Sequence, residues 1–211
     1  MRALFILPLL LACAAPEGSS AMSDDGCRVL FDFSQGADRA RWRAQNDTVM
    51  GGNSDGEVTE TEDALVFAGD LVTRGGGFVQ MNADLPSGAL TGMTTLRLVG
   101  DSEGRPWRVR FETDQRVPRD AMRGRGDEGE RAVMRSGPDM DGPRVAFSAP
   151  LTGWTDGAAA ADLTDPEAST RGRPVPGVVW APERATNIGL ILADGRDAPF
   201  RLTVRRIEAC R

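Results

Sequence analysis

The feature that most constrains the fold of this chain is the spacing of its apolar residues. In Trp107-Arg108-Val109-Arg110-Phe111-Glu112 the aromatic and apolar side chains alternate strictly with charged ones. A period of two puts the first set on one face of an extended strand and the second on the other. Leu96-Arg97-Leu98 and Val79-Gln80-Met81-Asn82-Ala83 repeat the pattern, and residues 64–71, 144–148, 187–193 and 200–207 also read as strands. Clusters of Gly, Pro, Asp and Asn separate these runs, from a total of 25 Gly and 13 Pro. No stretch carries a helical stripe over three or four turns. Residues 156–168, with Ala158 to Ala161, are the one place where a short surface helix is expected. About nine or ten strands at this spacing predict an all-β fold, an antiparallel β-sandwich or jelly roll. Two segments read as long loops: 115–143, rich in Arg, Asp, Glu and Gly and carrying at most a short hairpin, and 162–177, which ends in Arg171-Gly172-Arg173-Pro174.

The first residues carry a different pattern. Met1-Arg2 is followed by an apolar run from Ala3 to Ala12 that is too short to span a bilayer as a mature helix and has the form of an export signal. Leu10-Leu11-Ala12-Cys13 resembles the lipobox of bacterial lipoproteins, which implies that Cys13 is acylated and becomes the first mature residue. Acyl chains bury methylenes at about 0.8 kcal/mol each, so two or three attach a protein without a spanning segment. The expected division is therefore a signal at 1–12, a flexible tether at 13–26 and one folded domain at 27–211. The domain would be anchored to the cell envelope and face the periplasm.

Setting Cys13 aside leaves Cys27 and Cys210, one at each end of the expected domain. In an oxidising compartment an even pair favours a disulfide over two free thiols. Such a bridge would place the first and last strands side by side.

Composition narrows the chemistry. The chain has no His, no Tyr and no Lys, all 25 basic residues being Arg. The commonest general base and metal ligand is thus missing, as are Schiff-base and phosphate-loop lysines. A carboxylate pair or an oxygen-liganded metal is what remains for catalysis. Asp139-Met140-Asp141-Gly142 has the start of a calcium loop but not the remaining ligands. The expectation is a non-enzyme without cofactor or metal, and a monomer. A net charge of -6 also disfavours nucleic acid as a partner.

The most distinctive segment is Trp42-Arg43-Ala44-Gln45-Asn46-Asp47-Thr48-Val49-Met50-Gly51-Gly52-Asn53-Ser54. Leu65-Val66-Phe67-Ala68-Gly69, Gly75-Gly76-Gly77-Phe78, Thr170-Arg171-Gly172-Arg173, residues 187–194 and Pro199-Phe200-Arg201-Leu202 follow in order. Together they resemble the complex I intermediate-associated protein family over roughly 29–209. That resemblance implies a galactose-binding-domain-like jelly roll and a helper role, since mitochondrial members are chaperones for assembling respiratory complex I. Related sandwiches include carbohydrate-binding modules. An exported domain departs from the mitochondrial pattern, because the complex I arm is built on the other side of the membrane.

The residues admit two readings of this segment. Asn, Asp and paired glycines suit a tight loop leaving a strand, with Val49 and Met50 plugging the sandwich end. Alternatively, Asn46 and Asp47 line a ligand site at the loop end. The expected site comprises Trp42, Asn46, Asp47, Gly51 and Gly52, with Arg171 and Arg173 as planar forks for a carboxylate, phosphate or sugar hydroxyl. Trp107 is expected in the core, while Trp154 or Trp180 could stack on a sugar ring. The partner is then a protein, such as a respiratory or envelope membrane complex, or alternatively a glycan.

Overall fold

The structure, a computed structural model, describes residues 25–117 and 143–211. The expected signal, Cys13, most of the tether, most of the 115–143 loop and Asp139-Met140-Asp141-Gly142 lie outside these residues.

Fourteen strands follow one another among the described residues: β1 (Cys27–Asp32), β2 (Arg43–Asn46), β3 (Asp55–Glu60), β4 (Leu65–Leu71), β5 (Val79–Asp84), β6 (Thr95–Asp101), β7 (Arg108–Arg116), β8 (Arg144–Pro150), β9 (Thr152–Thr155), β10 (Ala158–Asp162), β11 (Glu167–Thr170), β12 (Arg173–Pro174), β13 (Ala185–Leu192) and β14 (Ala198–Cys210). They form two antiparallel sheets, the jelly-roll sandwich expected from the alternation. The first runs β3-β4-β14-β6-β10-β9, with β1 also paired to β14. The second runs β12-β11-β8-β7-β13-β5-β2.

β14 organises the first sheet because it is long enough to serve three partners. Its first half pairs with β4 and its second half with β1, while β6 lies along its other side. Cys27 and Cys210 are opposite each other in the β1–β14 register and are disulfide-bonded, as their placement in the sequence led one to expect.

The core is the inward half of each alternating strand. In β7, Val109, Phe111 and Thr113 are fully buried between the sheets, while Arg108, Arg110 and Glu112 point outward. Thr113 is tolerated inside because its hydroxyl donates to the Val145 carbonyl at 2.9 Å. Phe200 meets Phe67 and Trp107 edge-on, and Phe67 and Trp107 meet at a tilt, with ring centroids 5.1–5.9 Å apart; each large buried side chain contributes about 1.5–3 kcal/mol of burial. Trp107 is core, as expected.

The fold corrects the local reading in two places. Ala158 to Ala161 form strand β10, paired on both sides by β6 and β9, instead of a surface helix. Alanine's helix propensity is worth only tenths of a kcal/mol per residue, so two flanking ladders override it. The expected 162–177 loop contains the β11–β12 hairpin, whose turn residues Arg171 and Gly172 both have positive φ. Two such residues make the tight turn whose twist suits a hairpin.

Candidate functional site

The segment 46–54 folds around one carboxylate. β2 ends at Asn46, and Asp47–Met50 form a single 3-10 turn closed by Gly51 at φ +87°. Asp47 is completely buried. Its Oδ1 accepts from the Ser54 amide at 2.9 Å, and its Oδ2 accepts from the Ser54 hydroxyl at 2.8 Å and the Gly77 amide at 2.6 Å. Its own amide donates to the Phe78 carbonyl at 3.2 Å. Burial by itself would raise the Asp47 pKa. The donors of Gly77 and Ser54, with the Phe78 amide, outweigh that and hold the carboxyl below the ordinary carboxylate range.

The glycines are there to admit the carboxylate. A Cβ on Gly52 would stand 2.2 Å from Asp47 Cγ, and one on Gly76 would stand 2.3 Å from Oδ2. Gly56 is held in the same way, since its Cβ would fall 2.8 Å from the Phe67 ring. Asn46 reaches across and donates to the Gly56 carbonyl at 3.0 Å. Thus the Asn46–Ser54 run and the Gly75-Gly76-Gly77-Phe78 run, separate in sequence, form one buried knot.

This geometry decides the expected site residues. Asp47 faces inward with its acceptor sites occupied, so it cannot line a ligand pocket. Trp42 is 3% exposed and packs edge-on against Phe31 and Phe33 at 5.1 and 5.8 Å. Gly51 and Gly52 shape the turn around Asp47. Of Val49 and Met50, expected to plug the sandwich end, Met50 is instead 67% exposed at the loop surface, while the Val49 side chain lies outside the described residues. Gly51 in the left-handed region turns the chain immediately after it.

Arg171 and Arg173 do not join the knot. They sit on the β11–β12 hairpin at one edge of the second sheet, and β2, which leads into Asp47, is the other edge. Six strand spacings separate the edges, roughly 29 Å along the sheet. Trp180 packs on Phe111 and Phe147 at 5.3 and 4.9 Å, a core role. Trp154 is partly exposed and lines a hollow of about 280 Å³ with Gly100, Asp101, Gly157 and Arg205. These scattered positions form no single loop-end site.

What converges is the outer face of the second sheet. Across β5, β13, β7 and β8 the register aligns Asn82, Gly189, Arg110 and Ser148 in one row. A second row aligns Gln80, Ile191 and Arg108, and a third Asp84, Asn187 and Glu112. Gln45 on β2 extends the surface and accepts from the Asn82 amide at 3.2 Å. Gly189 makes room for the Gln80 side chain, which is buried across it with its amide 2.9 Å from where a Cβ would stand. Arg108 donates to Ser148 Oγ at 3.2 Å and Glu167 at 2.5 Å. Arg110 is half-buried and makes no hydrogen bond among the described residues. Burial lowers its pKa, and the neighbouring Glu112 charge opposes that shift. The polar halves of 79–83 and 107–112 were the available sequence signal. They announced only an outer face, and the joining of four strands into rows made it a surface.

A second fixed point is the Arg105–Asp194 pair, with side chains 9% and 5% exposed. Arg105 Nε and Nη2 donate to the two Asp194 oxygens at 2.9 and 2.8 Å, and Nη1 donates to the Pro199 carbonyl at 2.8 Å. The pair ties the β6–β7 connection to the β13–β14 connection. Its groups satisfy one another, so its role is structural.

The fold has relatives among solved structures. A family 11 carbohydrate-binding module from Clostridium thermocellum, in complex with a β-1,3-1,4-mixed-linked tetrasaccharide, matches with a TM-score of 0.52 at 14% identity. The match covers 89% of this chain and 97% of that one. The family 11 module of the cellulosomal cellulase Lic26A-Cel5E of Clostridium thermocellum matches with a TM-score of 0.54 at 13% identity, covering 89% and 96%. At such identities the likeness is one of fold. No curated protein matches the chain. Residues 31–204 match the family described as Complex I intermediate-associated protein 30 (CIA30). The motifs gathered around Asp47 lie within that stretch, and the chain belongs to the CIA30 family.

Proposed function

We propose that this chain is a non-catalytic binding domain that takes an oligosaccharide across the outer face of its second sheet. It is tethered to the cell envelope through a lipid on Cys13 and faces the periplasm. The observation that carries this reading is the set of aligned polar rows around Gly189, which offers amide, guanidinium, carboxylate and hydroxyl groups along several sugar lengths. A carbohydrate module bound to a tetrasaccharide has the same fold, and the absence of His and Lys from the chain favours binding over turnover. Among the described residues, the buried carboxylates Asp47, Asp194 and Glu208 are all engaged by internal bonds.

The test is titration calorimetry of the mature protein against a panel of hexasaccharides, native and Asn82→Ala. Binding by the native form that weakens in the variant supports the reading. If no hexasaccharide binds, the reading fails.

The family favours a second reading, an assembly helper that docks a respiratory or envelope membrane complex. The exposed Met50 in the family's own signature is the observation for it. β14 runs thirteen residues, about 40 Å, between the Cys210 end and the end tied to the knot by the Thr73 amide and Asp197 at 2.7 Å. A tether entering at Cys27 would therefore present Met50 away from the membrane. Pull-down from crosslinked membranes would recover one protein with the native form and lose it with Met50→Ser. Identical recovery with both forms would exclude docking through this loop.

A further inference from the structure

We propose that the glycan taken by this face is acidic, a uronic-acid chain with a carboxylate held by Arg110. The inference rests on the glycan reading above and names its substrate class. Arg110 lies at the centre of the face, beside Ser148 on β8 and Gly189 on β13. Its guanidinium carries five donors, and none of them is used among the described residues. Arg108, two residues away, is by contrast already engaged by Glu167 and Ser148. A cation in a half-buried position loses hydration that an anion restores best, and the planar fork matches a carboxylate with two parallel hydrogen bonds.

The surroundings give this carboxylate a place and an orientation. Gly189 places no side chain of its own between Arg110 and Asn82, and the buried Gln80 side chain fills that space, so a pyranose ring would rest above Gln80 over β13. Glu112 flanks Arg110 on its own strand and repels an anion on that side. The carboxylate is therefore directed toward the Arg108 end of that face, away from Glu112 along β7, and Glu112 is left to accept from sugar hydroxyls. The aligned rows contain no aromatic ring. Neutral sugars are commonly held by stacking on such rings, so charge-assisted hydrogen bonds have to supply the affinity here.

The experiment is calorimetry of the mature protein with hexagalacturonate, cellohexaose and hexaglutamate at low and high salt. Hexagalacturonate is expected to bind about tenfold or more tighter than cellohexaose, with the margin shrinking at high salt. Arg110→Gln should bring it down to the cellohexaose level. Arg110→Lys, which keeps charge and loses the fork, should fall between. An unchanged melting temperature shows that the variants are folded, and if Arg110→Gln is not, the lysine variant and the salt dependence decide. Equal affinity for the two sugars, or a preference that survives both substitutions, overturns the acidic assignment while leaving the glycan reading standing. Hexaglutamate binding as well as hexagalacturonate overturns the sugar assignment. Binding of neither sugar overturns the acidic assignment, and the glycan reading falls with it if no other hexasaccharide of the panel binds.

Discussion

The Asp47 carboxylate occupies the space that a side chain on Gly76 would fill, with Oδ2 only 2.3 Å from the Cβ position. A family signature that reads like a ligand loop is thereby a way of burying an anion and surrounding it with donors. Hydrogen bonds to charged groups contribute about 1.5–3 kcal/mol each, and the Ser54 and Gly77 donors converge on this one group. Asp47→Asn, which turns an amide donor toward other donors, should destabilise the domain by at least about 2 kcal/mol. Gly76→Ala and Gly52→Ala should do the same by forcing the carboxylate out. For a domain of this size each kcal/mol lowers the melting temperature by about 2–4 °C, so calorimetric scans check the expectation. Melting temperatures within 1 °C of native would contradict it.

Acid should unfold the protein through these same groups. The pKa of Asp47 is lowered by its donors against the opposing effect of burial. Burial likewise opposes the shift at Asp194, where the Arg105 hydrogen bonds prevail. At Asp32 the Ser34 hydroxyl and amide lower it. A depressed folded-state pKa means that the unfolded chain binds more protons. The stabilisation is then complete above the unfolded value of about 3.9 and is lost as pH falls through the folded values. Denaturant midpoints should be flat from pH 7 to about 5 and drop steeply below about 4. Asp47→Asn should make that acid limb shallower, and an unchanged limb would assign the effect to other carboxylates.

Removing one member of the Arg105–Asp194 pair leaves the other buried and unpaired, a change that typically costs about 3–5 kcal/mol. Asp194→Ala should be more damaging than the double variant Arg105→Met, Asp194→Leu, which leaves no orphaned charge. Urea midpoints of the three proteins measure this. Equal losses for single and double variants would show that packing dominates at this site.

Reduction of Cys27–Cys210 opens a loop spanning nearly the whole domain, with a sequence separation of 183. Chain entropy alone puts the expected loss at roughly 5 kcal/mol, an upper figure. The melting temperature should fall on adding reductant. Thiol titration of the denatured domain should find no reactive thiol at positions 27 and 210 before reduction and both after it.

Much of the architecture was legible because strands report on themselves. Val109, Phe111, Arg108 and Arg110 declare two faces through neighbouring positions alone, and the apolar face has to be covered. Cys27 and Cys210 likewise declared their pairing through their places at the two ends. The short elements were illegible for the converse reason. β10 consists of alanines and an aspartate, and β11–β12 has only six residues, so each is a strand because a neighbour supplies its ladder.

The sequence by itself determined which side chains had to be inside, which chemistry was missing, and that 46–54 and 75–78 were distinctive. Only the tertiary structure decided that these two segments meet around Asp47, that Trp42 is core, and that Arg171 and Arg173 stand at the far edge of the sheet. It also decided that Arg110, Gly189, Gln80 and Asn82, from three different strands, share one surface. The physical reason is range. Alternation and turn chemistry act over a few residues and are written locally, whereas a site is made by strand register and order. Those depend on burying every apolar face at once.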